Sequence, residues 1–153
     1  MLRGTLVHQA CHYLNNDALD WDSVDPRILP YVEAYALLRK ETRITVEQSE
    51  LTVISEKYEV AGTLDLIGKW GKDNILADIK TGDYSQKQPN WECQIAAYDK
   101  LEREMSGFKG KRKLFAFVLK ADATYKIFEM VESDSWAVFL AYLRIYKWER
   151  RFK

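Results

Sequence analysis

Only two cysteines, two histidines, three prolines and seven glycines occur among the 153 residues of the chain. Two thiols, Cys11 and Cys93, are too few for a disulfide scaffold, a four-cysteine zinc site or a four-cysteine iron–sulfur cluster, so they are expected to be reduced thiols in a cytoplasm. Little Gly and Pro, set against 47% hydrophobic and 13% aromatic residues, excludes a disordered chain and supplies one well-filled core. Neither sign of charge is in excess, with 23 Lys and Arg against 23 Asp and Glu. That excludes tight binding of nucleic acid through bulk charge alone, because counterion release needs a surplus of cations. Long apolar runs are also missing. The longest, residues 136–143, has eight residues, far below the roughly 20 that span a bilayer. The first residues, Met-Leu-Arg-Gly-Thr-Leu-Val-His, do not read as a secretion signal.

With no repeat, low-complexity segment or Gly/Ser linker, one domain is expected over residues 1–153. A helix is predicted over residues 5–14 with Leu2, Leu6, Cys11 and Leu14 on its apolar side, ending at Asn15-Asn16-Asp17. Asp25-Pro26 is expected to open a second helix striped by Ile28, Val32, Tyr35, Ala36 and Leu38. The period then falls to two. Residues 44–54 change parity once, between Ile44/Val46 and Leu51/Val53, which predicts a bulge near residues 48–50. Strands follow at residues 58–67 and 75–80, a helix from Trp91 closed by Gly107, strands at 114–119 and 125–131, and a last helix at 135–151 capped by Ser133 or Asp134. The order α-α-β-β-β-α-β-β-α predicts an α/β fold, a central mixed sheet flanked by helices.

The chemistry concentrates in the middle. Asp65 lies near the end of one strand and Asp78-Ile79-Lys80 ends the next, so hairpin neighbours would set two carboxylates side by side. Such a pair calls for a cation unless it is buried and protonated, and oxygen ligands favour Mg²⁺ or Mn²⁺. Period two puts Lys80 on the face of Asp78, one pleat on. There its ammonium can hold a water or meet charge developing on a phosphoryl oxygen.

Gly62-Thr63-Leu64-Asp65, Asp78-Ile79-Lys80-Thr81-Gly82 and Gln94-Ile95-Ala96-Ala97-Tyr98 occur in that order within 37 residues, preceded by Gly4-Thr5-Leu6-Val7-His8. This set resembles the PD-(D/E)XK nuclease superfamily in its RecB-like branch, which includes phage recombination exonucleases, over residues 4–101. The resemblance implies a restriction-endonuclease-like core and metal-assisted phosphodiester hydrolysis. His8, Asp65, Asp78 and the Ile79 carbonyl would hold Mg²⁺ or Mn²⁺, with Glu50 as a further ligand, directly or through water; Glu47 is its competitor for that position. Lys80 would be the catalytic lysine, as base or as electrostatic stabiliser. Gln94 and Tyr98, one helical turn apart, would face the site together. Thr81, Tyr98 and Arg3 are expected at phosphates, as are Lys111 and Arg112 from a basic turn.

His8 and His12 share the i, i+4 spacing of zinc proteases, but position 9 is Gln where a protease needs a Glu base. The aromatics of the last helix are expected in the core rather than as a base-stacking platform. The implied partner is DNA, as linear duplex or single-stranded ends, acted on by an exonuclease of phage-type recombination or repair in a bacterial or phage-infected cell. A single-strand annealing protein and a second copy of the chain are further partners the resemblance allows. Two other readings stay open: a catalytically inactive relative that binds DNA or protein, and an α/β domain whose motifs carry no chemistry.

Overall fold

Where the hydrophobic period changes from helical to alternating, the backbone changes with it. The computed structural model describes residues 3–153. It runs α1 (Arg3–Asn15), α2 (Leu29–Thr42), β1 (Thr45–Ser55), β2 (Val60–Trp70), β3 (Asp73–Thr81), α3 (Pro89–Ser106), β4 (Lys113–Leu119), β5 (Tyr125–Met130) and α4 (Ser135–Glu149). Single turns of 3-10 helix lie at Trp21–Ser23 and Arg150–Phe152. The predicted order is the observed one.

The five strands form one mixed sheet in the order β1-β2-β3-β4-β5, antiparallel except for β3 and β4, which are parallel and joined through α3. Alternation sorts the core into two layers. Leu66, Ile75, Ala77, Ile79, Phe115 and Phe117 pack with Val7 and Cys11 of α1 and Val32, Tyr35 and Leu38 of α2. On the opposite face Val53, Leu64, Leu76, Ala116 and Val118 pack with Trp91, Ile95 and Leu101 of α3. Each such side chain removed from water contributes roughly 1.5–3 kcal/mol.

Three expectations change. The apolar side of α1 is Val7, Ala10 and Cys11 rather than the Leu6 side; Leu6 faces outward, and Leu2 lies outside the described residues. Asp25-Pro26 makes a turn before α2, because the Asp25 carboxylate accepts from the Arg27 N–H at 2.8 Å; the helix starts at Leu29 with Pro30 in its first turn. In α4 only Ser135 is buried. Trp136, Phe139, Leu140 and Leu143 are half-buried against the body and the remaining aromatics face solvent.

Candidate active site

The pairing of β2 with β3 runs from Trp70↔Asp73 to Leu66↔Ala77 and stops there. Beyond that point β2 stays with β1 and β3 stays with β4, so the sheet forks. Leu64 and Leu66 have the same parity yet lie in opposite core layers, which shows β2 turning over at Asp65. The next pair would have been Asp65 with Asp78. Instead the Ile79 N–H donates to Asp65 Oδ2, so a side chain takes the place of a backbone rung. Both carboxylates are buried in the crotch of the fork.

Irregularity in β1 completes the acidic group. The register shifts between Val46 and Gln48, leaving Glu47 unpaired, and Glu50 has φ of 54°, a left-handed conformation that costs a non-glycine residue free energy. The distortion places Glu50 with Asp65 and His8, one ligand atom from each lying within 4.8 Å of the others. Glu47 lines a different cavity, with Ile67 and Phe108. His8 reaches the group from α1 because Val7, Ala10 and Cys11 turn that helix's apolar side to the sheet, and its Nδ1 lies 2.7 Å from Asp65 Oδ1. Gly4 on the same face would place a Cβ 3.9 Å from the Thr81 hydroxyl, so the start of α1 adjoins the end of β3. A depression of about 710 Å³ lined by Gly4, His8, His12 and Glu50 opens beside them.

A second chain of contacts starts at Asp78. The Lys80 ammonium is 2.7 Å from Asp78 Oδ2 and donates to Gln94 Oε1 at 2.6 Å, while Gln94 Nε2 donates to the Tyr98 hydroxyl at 3.1 Å. The Lys80 ammonium is thus the partner of the buried Asp78 Oδ2, a charge pair rather than a well-aligned hydrogen bond. A Cβ at Gly62 would lie 2.7 Å from the Tyr98 ring, so the glycine makes room for that tyrosine. The two motifs are therefore one steric unit.

The electrostatics match an acidic pocket. Burial, then the charge of Asp65, push the Asp78 carboxyl up to about 6 despite Lys80. Glu50 is raised by burial and again by Asp65. At His8 burial works downward, but the hydrogen bond and charge of Asp65 with the charges of Asp78 and Glu50 outweigh it, and the imidazole is held above its ordinary value. A divalent cation would offset this crowding. The His8 imidazole and the Glu50 and Asp65 carboxylates form a donor set that fits Mg²⁺ or Mn²⁺, with the Asp78 carboxylate beside it across the fork.

His8, Glu50, Asp65, Asp78, Ile79, Lys80, Gln94 and Tyr98 thus converge, with Thr81 at their rim. Arg3 sits at the start of α1 with its guanidinium 5.0 Å from the centre of the Tyr31 ring. Lys111 and Arg112 do not join them. Lys113 pairs with Ile75, so both precede the start of β4, at the end of the sheet away from Asp78. The Arg112 side chain is 3% exposed, bonds Asp99 at 2.8 Å and Glu102 at 2.7 Å and stacks on Phe108, which fixes α3 to β4 rather than offering a cation to phosphate. One neighbour was not foreseen: His12 Nδ1 lies 2.6 Å from the Ser49 hydroxyl, lining the depression one helical turn from His8. The i, i+4 spacing was the only trace of it in the sequence.

No protein-family model and no curated protein matches the chain. Among solved structures, a candidate exonuclease from Eubacterium rectale is similar at a TM-score of 0.62 and 10% identity, over 95% of this chain and 65% of that one. The chain therefore spans about two thirds of that protein's length. A second structure, of SSO0001, is 17% identical over 91% of this chain and 71% of that one at a TM-score of 0.45, too low to add to the argument. At these identities the shared property is the fold, and it is the fold of a protein described as a nuclease.

Proposed function

We propose that the chain is a metal-dependent deoxyribonuclease of the PD-(D/E)XK superfamily, in its RecB-like branch, hydrolysing phosphodiester bonds from DNA ends as in phage-type recombination or repair. The observation that carries this reading is the fork: two buried carboxylates on diverging strands, with a lysine one pleat beyond the second and paired to it. Asp65, Asp78, His8, Glu50 and the Ile79 carbonyl would hold Mg²⁺ or Mn²⁺. When bound, that ion supplies charge that polarises a phosphate oxygen and acidifies an attacking water.

The protein's own groups do the rest. Lys80, held from both sides by Asp78 and Gln94, presents a fixed ammonium where negative charge grows on the phosphoryl group. Gln94 keeps that ammonium and the Tyr98 hydroxyl in register, since its one amide accepts from the first and donates to the second. Thr81 and Arg3, at the end of β3 and the start of α1, would meet the neighbouring phosphates.

The test is cleavage of end-labelled linear duplex DNA with Mg²⁺ or Mn²⁺ and with EDTA. Wild type is expected to cut linear DNA, spare a covalently closed circle and stop in EDTA. Asp78→Asn and Lys80→Ala should each lower the rate by at least about 100-fold, the scale of losing one preorganised electrostatic group, with unchanged circular dichroism. Undiminished cleavage in either variant would contradict the mechanism. A wild type that binds DNA but never cuts DNA or RNA with either metal would leave a binding module instead.

A further inference from the structure

Zero net charge conceals one strongly polarised segment. Residues 140–153 carry five cations and one carboxylate, leaving 18 cations against 22 carboxylates in residues 1–139. This segment is the second half of α4 and the turn after it, where the aromatics expected in the core stand in solvent: Trp148 is 56% and Phe152 73% exposed. An amphipathic helix that simply covers a sheet would hide such rings.

α4 packs along α3 and also meets the turn between β1 and β2, through an edge contact of Trp136 with Tyr58 and an ion pair of Lys147 with Glu59. Between helix and turn runs a groove of about 370 Å³. Lys57, Arg144, Lys147 and Arg151 line it with Tyr58 and Trp148, and the Glu59 carboxylate adjoins it through its ion pair with Lys147. Trp148 meets Phe152 edge to face with centroids 4.9 Å apart.

We infer that this groove binds single-stranded nucleic acid, with phosphates on Lys57, Arg144 and Arg151 and a base stacked on Trp148. The chemistry argues for that occupant. A cationic track beside an aromatic face is what a base-bearing polyanion needs, and base stacking does not depend on sequence. A second copy is disfavoured because a two-fold contact would set this cationic face against itself. A protein interface would need fewer charges at its centre.

The turn beside the groove leads into β2, and five residues along that strand from Val60, roughly 17 Å, lies Asp65. The inference rests on the reading above only in taking nucleic acid as the polyanion, and it requires no hydrolysis.

Binding of a fluorescein-labelled oligo(dT) of about 15 nucleotides is to be followed by anisotropy in EDTA, where cleavage plays no part, with unlabelled duplex and inorganic polyphosphate as competitors. Trp148→Ala is expected to weaken binding about tenfold, the effect of losing one stacked base. Arg144→Glu with Arg151→Glu should flatten the slope of log K against log salt by about 1.4, or about 0.7 for each phosphate no longer neutralised. Oligo(dT) should be displaced by other single strands more readily than by polyphosphate. These side chains are exposed or half-exposed, so unchanged circular dichroism is expected in all three substitutions. Unchanged affinity in Trp148→Ala, or equal competition by polyphosphate, would overturn the stacking site. Concentration-dependent dimerisation abolished by Trp148→Ala, with no oligonucleotide bound, would overturn it in favour of a self-interface. A wild type that binds the oligonucleotide but never cleaves with Mg²⁺ or Mn²⁺ would count against the nuclease reading and leave the groove intact.

Discussion

Asp78 shows how one residue can cost stability to provide chemistry. It is 3% exposed, faces Asp65 across the fork, and its carboxyl titrates near 6 rather than 3.8. A carboxyl whose folded-state pKa is raised binds its proton more tightly folded than unfolded. Its contribution to stability is therefore complete below about pH 4 and is lost as pH rises through about 6. In EDTA, Asp78→Asn should match wild type in thermal midpoint at pH 4 and exceed it at pH 8. The difference is about 1–3 kcal/mol, since each tenfold change in proton affinity corresponds to about 1.36 kcal/mol, and scanning calorimetry at the two pH values checks it. An Asn variant less stable than wild type at pH 8 would contradict the unfavourable burial. The same substitution should abolish cleavage, so the two readouts move in opposite directions.

At the scale of the element, the site is made by strands that stop obeying their own pattern. β1 shifts register and carries a left-handed Glu50, β2 turns over at Asp65, and β3 gives one N–H to a side chain. Bulges of this kind re-aim side chains. Gly68, opposite Val46 where the register shifts, permits it: a Cβ there would lie 2.0 Å from the Thr45 carbonyl oxygen. Gly68→Ala is expected to cost about 3 kcal/mol in urea unfolding, an overpacking penalty against backbone. Gly71→Ala, in an open turn with φ of 59°, should cost only about 1 kcal/mol, for backbone strain alone. Equal costs would show that the close approach at Gly68 is not rigid.

For the whole molecule, the metal-free protein holds its carboxylates together against their own repulsion, and a divalent ion should therefore stabilise the fold as well as activate it. At about 100 times its dissociation constant Mn²⁺ would add roughly 2.7 kcal/mol, or about 5–10 °C in midpoint for a chain of this size. Thermal unfolding with Mn²⁺ and with EDTA at pH 8 should show that shift in wild type and little of it in Asp65→Asn. No shift in wild type would contradict the metal site. The charge layout has the same logic: an acidic fork, once loaded with metal, and a cationic groove beside α4 would let a chain of zero net charge engage a polyanion locally.

Much of this was legible in the residues alone. Period two in Ile75, Ala77 and Ile79 and period 3.6 in Trp91, Ile95 and Tyr98 specify strand and helix locally, and the spacing of Asp78, Lys80, Gln94 and Tyr98 follows from those periods. The element order and the parity change in β1 were readable for the same reason. Long-range packing decided the rest. Glu50 was distinguished from Glu47 only by the backbone twist that sends one to Asp65 and the other elsewhere, and Arg112 became a buried brace because Asp99 and Glu102 fold onto it. The aromatics of α4 look like core in sequence, since hydrophobicity alone does not say which side of a helix finds a partner. The tertiary structure half-buries one stripe of that helix and leaves Tyr142, Tyr146 and Trp148 facing water.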